Sequence, residues 1–188
     1  MNLHKVLFLA ACIASCMFQS FNANAGDLEW KTFVSKEGRF SVLIPGKPTY
    51  TVKDEPTQVG LVRENLYSYD NGPLELDAEY SDLPFLAALF AKRSRIYNEI
   101  VAEFLKRVHG TEISVESITL DAYRGKLLTY ETDKRYGKLW MLLISRRIYA
   151  LHASVPKDFS DKLFMAFYFG SFKPVYKTVR EHHRRSDD

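Results

Sequence analysis

The sequence predicts an α+β fold in which helices pack on a mainly antiparallel β-sheet, and three observations support this prediction. Short stretches typical of strands lie on both sides of one long amphipathic segment. Turn residues separate these stretches. The chain has 188 residues, 46% of them hydrophobic and 26% charged, a balance that supports one self-sufficient core and excludes disorder or a coiled coil.

The first 25 residues have the organisation of a secretory signal peptide. Lys5 supplies the positive start, Val6 to Phe18 form an uncharged apolar stretch, and Ala23-Asn24-Ala25 is a small-x-small cleavage pattern. The apolar stretch has 13 residues, too few to span a membrane. We therefore expect export to the periplasm or the medium, with cleavage between Ala25 and Gly26.

A second processing route uses the same segment. Ile13-Ala14-Ser15-Cys16 resembles the lipobox of bacterial lipoproteins, in which the cysteine becomes a lipidated N-terminus. Cys12 leaves too short an apolar stretch for this role. Because both cysteines of the chain lie here, cleavage after Ala25 leaves no thiol for disulfides, catalysis or metal binding.

The remainder divides into one domain over residues 26–173 and a polar tail over 174–188. The formal net charge of the whole chain is +3, and without Lys5 it is +2. Since both signs are interspersed, the sequence has no basic footprint for nucleic acid.

The first strands are predicted at Trp30 to Val34 and at Phe40 to Ile44, with a third at Tyr50 to Lys53. The strongest local signal is the hairpin around Asp70-Asn71-Gly72, which is followed by strict alternation from Leu74 to Tyr80. Asn-Gly favours a two-residue type I′ turn, which would pair Tyr69 with Leu74.

One long helix is predicted to follow, capped by Asp82, with Pro84 in its first turn, and ended by Gly110. Its apolar positions recur at three- and four-residue spacing, at Leu86, Leu89, Phe90, Ile96, Tyr97, Ile100, Val101, Phe104 and Val108. This pattern indicates a helix that packs on the sheet.

Four later strands are predicted at Ile113–Ile118, Arg124–Thr132, Leu139–Ser145 and Ile148–Val155. The almost wholly apolar run from Leu139 to Ile144 indicates a central strand covered on both faces. Arg146-Arg147 is then expected to form an exposed turn. A second helix is predicted from Ser160-Asp161, covering the sheet with Leu163, Phe164, Phe167 and Phe169.

Several blocks resemble the PsbP-like domain of bacterial exported proteins. The opening block is Trp30-x-x-Phe33-x-Ser35-x-Glu37-Gly38-x-Phe40-Ser41-Val42-x-x-Pro45-Gly46-x-Pro48, and later blocks are Ile118 to Gly125, Arg147 to Leu151 and Phe169 to Phe172. Asp121-Ala122 stands where many relatives have a glycine-containing turn. The resemblance, over roughly residues 30–173, implies an α/β/α sandwich and an accessory or binding role, but not an activity.

The usual catalytic motifs are absent from the sequence. Gly46-Lys47 is not a phosphate loop because Pro48 stands where Ser or Thr is required. His109 is expected to cap a helix end, and His152 lies on a strand, either facing outward or satisfied in the core. His182-His183 lack the i, i+4 spacing of a helical metal pair.

One acidic constellation raises a metal hypothesis. Glu75, Asp77 and Glu79 share one strand face at a spacing of roughly 7 Å, and the expected hairpin register places Glu64 opposite Glu79. Carboxylates are the ligands of weak calcium sites. We favour a solvated sheet face instead, because strand carboxylates at this spacing do not converge on one ion. The neutralising residues would be Arg63, Lys126 or Lys138.

These observations predict an exported, non-catalytic binding or accessory protein of the bacterial cell envelope, without a cofactor. Its partner would be a protein or a small molecule, and membrane attachment would arise only through lipidation of Cys16. The alternative is a hydrolase-type enzyme with a site assembled from scattered residues. A deep pocket with converging titratable groups would favour the enzyme, and an exposed aromatic patch would favour the binding protein.

Mass spectrometry of the exported protein tests the processing route. We expect a mature N-terminus at Gly26 without lipid mass, because small residues occupy both recognition positions before the cleavage point. A diacylated N-terminal Cys16 would show that the lipoprotein route operates instead.

Overall fold

The computed structural model describes residues 28–57, 60–159 and 163–175. Within these ranges the chain forms ten strands and three helices. In chain order they are β1 (Lys31–Ser35), β2 (Phe40–Ile44), β3 (Thr49–Thr57), β4 (Gly60–Asp70), β5 (Glu75–Asp82), α1 (Phe85–Phe90), α2 (Arg93–Val108), β6 (Thr111–Leu120), β7 (Tyr123–Glu131), β8 (Arg135–Ile144), β9 (Arg147–Pro156), α3 (Leu163–Gly170) and β10 (Lys173–Pro174).

The strands form two antiparallel sheets. The larger has the order β3-β4-β5-β9-β8-β7-β6, and the smaller has the order β1-β2-β10. Each half of the large sheet is a meander of consecutive strands, β3 to β5 and β6 to β9. The pairing of β5 with β9 joins the two halves.

Apolar side chains cover both faces of the large sheet. On one face, α2 packs through Ile96, Val101 and Phe104 against the inward residues of β7 to β9. On the other face, the small sheet and α3 enclose a core that includes Phe40, Leu76, Trp140, Leu151 and Phe172. This arrangement confirms the predicted α+β fold and the central position of the apolar strand β8. The layer opposite α2 differs from the expected sandwich, because it contains the small sheet as well as the helix α3.

The predicted single long helix is wrong, because the chain forms two helices. Lys92 lies between α1 and α2 in extended backbone, with φ −65° and ψ 132°. No proline or glycine stands at this break, so local propensity gives no sign of it. The predicted end of the helix is confirmed: His109 adopts the left-handed conformation, with φ 52°, and the Gly110 N–H donates to the Leu105 carbonyl at 2.9 Å.

The predicted register of the β4–β5 hairpin is wrong by two residues. Tyr69 pairs with Leu76, and the loop contains four residues, Asn71 to Leu74. The Asn71 side-chain oxygen accepts the Leu74 N–H at 2.9 Å, and the Asp70 carboxylate accepts the Gly72 N–H at 2.7 Å. These side-chain hydrogen bonds close a wider loop than the two-residue turn, and Leu74 becomes buried in the core.

Two further expectations, for the turn between β8 and β9 and for the buried face of α3, are wrong. Arg147 is the first residue of β9, so the turn after β8 consists of Ser145 and Arg146. On α3, Leu163 and Phe167 are 82% and 50% exposed, while Phe164, Met165 and Tyr168 are the residues that α3 buries. The predicted start of this helix at 160–161 lies outside the described residues.

The signal segment with Cys16 and Ala25-Gly26, and the tail with His182-His183, also lie outside the described residues. Among those that are described, no helix is both long enough and apolar enough to cross a membrane.

Alanine at Gly125 should destabilise the fold. A Cβ atom on Gly125 in β7 would overlap the backbone carbonyl oxygen of Met141 in the neighbouring strand, which has no freedom to move aside. We expect the G125A variant to lose about 3 kcal/mol of unfolding free energy in urea titrations. The matched control is G170A, where a Cβ meets nothing within 4 Å. Equal stability of the two variants would contradict this packing.

Candidate functional site

The acidic residues of β5 lie along the pairing of β5 with β9, on the sheet face that α2 covers. In the register, Glu75 faces Ser154 and Asp77 faces His152. The Ser154 hydroxyl donates to the Glu75 carboxylate at 2.6 Å, and Arg135 Nε lies 3.2 Å from the same carboxylate. The carboxylates of Glu75 and Asp77 are therefore half-exposed, at 36% and 30%, and β9 supplies a partner for each of them.

A buried chain of polar groups runs from Asp77 through His152 to Tyr130. Asp77 Oδ2 lies 2.8 Å from His152 Nδ1, and His152 Nε2 lies 2.7 Å from the Tyr130 hydroxyl. Phe104 of α2 packs on both rings, with centroid distances of 5.1 Å to Tyr130 and 5.4 Å to His152. Of the two alternatives that the sequence left open for His152, the structure shows the second: the side chain is satisfied in the core. Its hydrogen bonds connect β5, β9 and β7, and Phe104 of α2 packs on its ring.

The surroundings of Asp77 and Tyr130 shift the pKa values of both groups. Burial alone would raise the pKa of Asp77, but the hydrogen bond and charge of His152 outweigh burial and hold it below its ordinary value. Burial raises the pKa of Tyr130 well above its usual range. Tyr130 is only 2% exposed, and His152 is 7% exposed. The hydroxyl within reach of His152 is that of Tyr130, and because this phenol is enclosed and stays protonated, the three groups form a structural network without an accessible nucleophile.

Glu79 differs from the other acids of β5 because it faces Ala150, which offers no side-chain donor. Its nearest partner is the Ser81 hydroxyl at 3.4 Å. Burial raises the pKa of Glu79 to about 7, and the charge of Glu64 adds to this rise. Arg107 of α2 acts in the opposite direction through its positive charge.

The expected pairing of Glu64 with Glu79 is wrong, because Glu64 faces Ser81 in the two-residue-shifted register. Glu64 is instead a diagonal neighbour of Glu79 on the same sheet face. Burial also raises the pKa of Glu64.

The expected neutralising cations are not arranged as proposed. Arg63 binds Asp54 with two hydrogen bonds of 2.8 and 3.0 Å. Lys126 donates to the Ser117 hydroxyl at 3.1 Å. Lys138 alternates onto the opposite face of the sheet, beside Trp140. Across the described parts of the chain, no three His, Cys, Asp or Glu residues are grouped as metal ligands would be, so the calcium hypothesis gains no geometric support.

A groove of about 540 Å³ opens on this opposite face, between α3 and the strands β7 and β8. Its floor is Trp140 and Leu127, and α3 forms its wall. The lining residues are Leu127, Lys138, Trp140, Leu163, Met165, Ala166 and Phe169. Beside it, the half-exposed Phe167 packs edge-on against Trp30, with ring centroids 5.3 Å apart. An apolar groove with a single charged lining residue has the composition of a small-molecule binding site.

The sequence did not reveal this groove. Trp140 was visible only as part of a central strand, and Leu163 and Phe167 were expected to cover the sheet. The signal that could have located it is the alternation of β8, which places Lys138 on the same face as Trp140.

Comparisons with known proteins identify the fold. No sequence model of a known protein family matches this chain, and no curated protein does. The solution structure of cyanobacterial PsbP (CyanoP) from Synechocystis sp. PCC 6803 is similar, with a TM-score of 0.54 and 15% identity, over 81% of this chain and 96% of that one. The expected PsbP-like α+β fold is thereby confirmed.

A crystal structure from Bacteroides thetaiotaomicron VPI-5482 aligns with a TM-score of 0.43 and 10% identity. The alignment covers 78% of this chain and 49% of that one.

Glutamine at Glu79 should remove a pH dependence of stability. The ordinary pKa of a glutamate is 4.5 and that of folded Glu79 is about 7, so between these values the folded chain binds the proton that the unfolded chain has lost. Wild-type stability should therefore fall by about 2–3 kcal/mol relative to E79Q as the pH rises from 4.5 to 8. Urea unfolding of both proteins across this range measures the difference.

The matched control for this experiment is E103Q, at an exposed glutamate of α2. Its stability should stay parallel to that of the wild type at every pH. A constant difference between wild type and E79Q would show that Glu79 titrates normally.

Proposed function

We propose that this protein is an exported, non-catalytic binding or accessory protein of the bacterial cell envelope that holds a ligand in the groove between α3 and β7–β8. The observation that carries the proposal is the groove itself, whose volume of about 540 Å³ and apolar, aromatic lining suit a small molecule.

The lining chemistry defines the ligand class. Lys138 is half-buried at the groove, and it takes part in none of the ion pairs among the described residues. A cation in an apolar setting favours an anionic partner, while Trp140 and Leu127 favour an alkyl or aryl body. We therefore assign the groove to an amphiphile with an apolar chain and a carboxylate or similar acidic end.

The buried polar chain argues against the hydrolase alternative. A hydrolase needs a nucleophile that reaches both its base and the substrate. The hydroxyl that His152 contacts belongs to Tyr130, which is only 2% exposed and packs against Phe104 of α2, so a substrate has no access to it. Within the described ranges, the groove on the opposite face has no carboxylate, histidine or serine among its lining residues.

Export is part of the proposal and rests on the N-terminal segment. Cleavage between Ala25 and Gly26 would give a freely diffusing carrier, whereas lipidation of Cys16 would give a carrier tethered to the envelope.

Filling the groove should abolish binding. Ala166 is exposed on the groove side of α3, so the A166W variant would occupy the space with an indole ring. Isothermal titration with decanoate should give at least tenfold weaker binding to A166W than to the wild type. The control A102W adds the same ring to an exposed position of α2 on the other side of the sheet and should bind normally. Equal binding by the two variants would refute the assignment.

The charge of Lys138 provides a second arm of this experiment. The K138Q variant should bind decanoate about fivefold more weakly, which corresponds to about 1 kcal/mol. Its binding of the uncharged decanol should stay unchanged, because the apolar lining is intact.

A further inference from the structure

A second cavity, of about 360 Å³, lies at the end of the sheet where β8 turns into β9. Three of its lining residues are arginines: Arg39 from the turn between β1 and β2, Arg146 from the turn between β8 and β9, and Arg147 from the start of β9. Turns that are far apart in the sequence therefore bring three positive charges to one place.

The backbone holds these turns in defined conformations. Arg39 and Ser145 both have φ of 55°, in the left-handed region that side chains rarely adopt. The Arg39 carbonyl accepts the Val175 N–H at 2.7 Å, and the Arg146 carbonyl accepts the Leu83 N–H at 2.8 Å. Long-range hydrogen bonds therefore hold the backbone of Arg39 and Arg146 in place.

The lining is rich in positive charge. Asp82 is the one acidic lining residue in the described part of the chain, and it binds Arg147 through two hydrogen bonds of 2.7 and 2.6 Å. Arg147 also donates to the Glu37 carbonyl at 2.7 Å and lies 4.7 Å above the Tyr80 ring. These contacts occupy the Arg147 guanidinium, which links Asp82 of β5 to the turn between β1 and β2.

Arg39 and Arg146 are the other two arginines that line this cavity. Both side chains are exposed, and neither takes part in an ion pair among the described residues. The hydrogen bond from Arg147 is the main reason that the pKa of Asp82 lies below its ordinary value. The charges of Arg146 and Arg39 lower this pKa further, so both side chains lie near Asp82. Because Arg147 already pairs with Asp82, the lining of this cavity has two positive charges more than it has negative charges.

We propose that Arg39 and Arg146 bind a phosphate-type oxyanion in this cavity. The planar fork of each guanidinium matches the oxygens of a tetrahedral anion and can donate two hydrogen bonds to it. The same chemistry is presented by free phosphate and by the headgroup of an anionic phospholipid, so the two are distinguished by experiment. This site is separate from the groove at α3, and its lining residues are different.

The first test uses inorganic phosphate with the full-length mature protein, at constant ionic strength set with sodium chloride. Isothermal titration should show saturable binding to the wild type and at least tenfold weaker binding to R39Q/R146Q. The control K47Q/K134Q also removes two exposed cations, at the β2–β3 connection and the β7–β8 turn, and should bind as the wild type does. The R39K/R146K variant keeps the charges but loses the forks, so it should bind with intermediate affinity.

The second test uses vesicles of phosphatidylglycerol and phosphatidylcholine in co-sedimentation, compared with vesicles of phosphatidylcholine alone. Binding to the anionic vesicles that disappears in R39Q/R146Q and persists in K47Q/K134Q assigns the site to a lipid headgroup. Phosphate binding without vesicle binding assigns it to a soluble anion. If R39Q/R146Q and K47Q/K134Q behave alike towards both probes, the proposed site does not exist. Circular dichroism of each variant, with the wild-type spectrum expected, confirms that each folds.

Discussion

The pairing of β5 with β9 is the constraint on which the rest of this structure depends. Each half of the large sheet is built from neighbouring segments of the chain, whereas this pairing joins residues about seventy positions apart. The closure of so long a loop carries an entropic cost. Side chains offset it along the seam: Ser154 binds Glu75, His152 binds Asp77 and Arg147 binds Asp82.

These seam contacts also select the register. If β9 slid by two residues along β5, Asp77 would lose its hydrogen bond to His152, and the loss of a hydrogen bond to a charged group costs about 2 kcal/mol. Glu79 is the exception on the seam, because Ala150 opposite it offers nothing, and its raised pKa is the consequence. With the register set, the two faces acquire separate roles: one is sealed by α2 over His152, and the other carries the groove beside Trp140.

Sequence patterns predicted the strands well where burial is simple. The apolar run in β8 is covered on both faces, as its composition predicts for a central strand. They failed at the β4–β5 loop, where the side chains of Asp70 and Asn71 close four residues instead of two. They also failed at Lys92, whose extended backbone separates α1 from α2 although no proline or glycine stands there.

By itself, the sequence determined the fold class, the strands and the end of α2, because these follow from periodicity and from turn residues that act locally. The prediction of export also rests on the sequence alone, on the residues around Cys16 and Ala25. Only the tertiary structure decided the partner of each polar group. The alternation of Glu75, Asp77 and Glu79 has the same appearance whether that face meets water or His152. Likewise, Arg39 and Arg146 are more than one hundred residues apart in the chain and belong to different sheets, and only the packing of the small sheet on the large sheet brings them to one cavity.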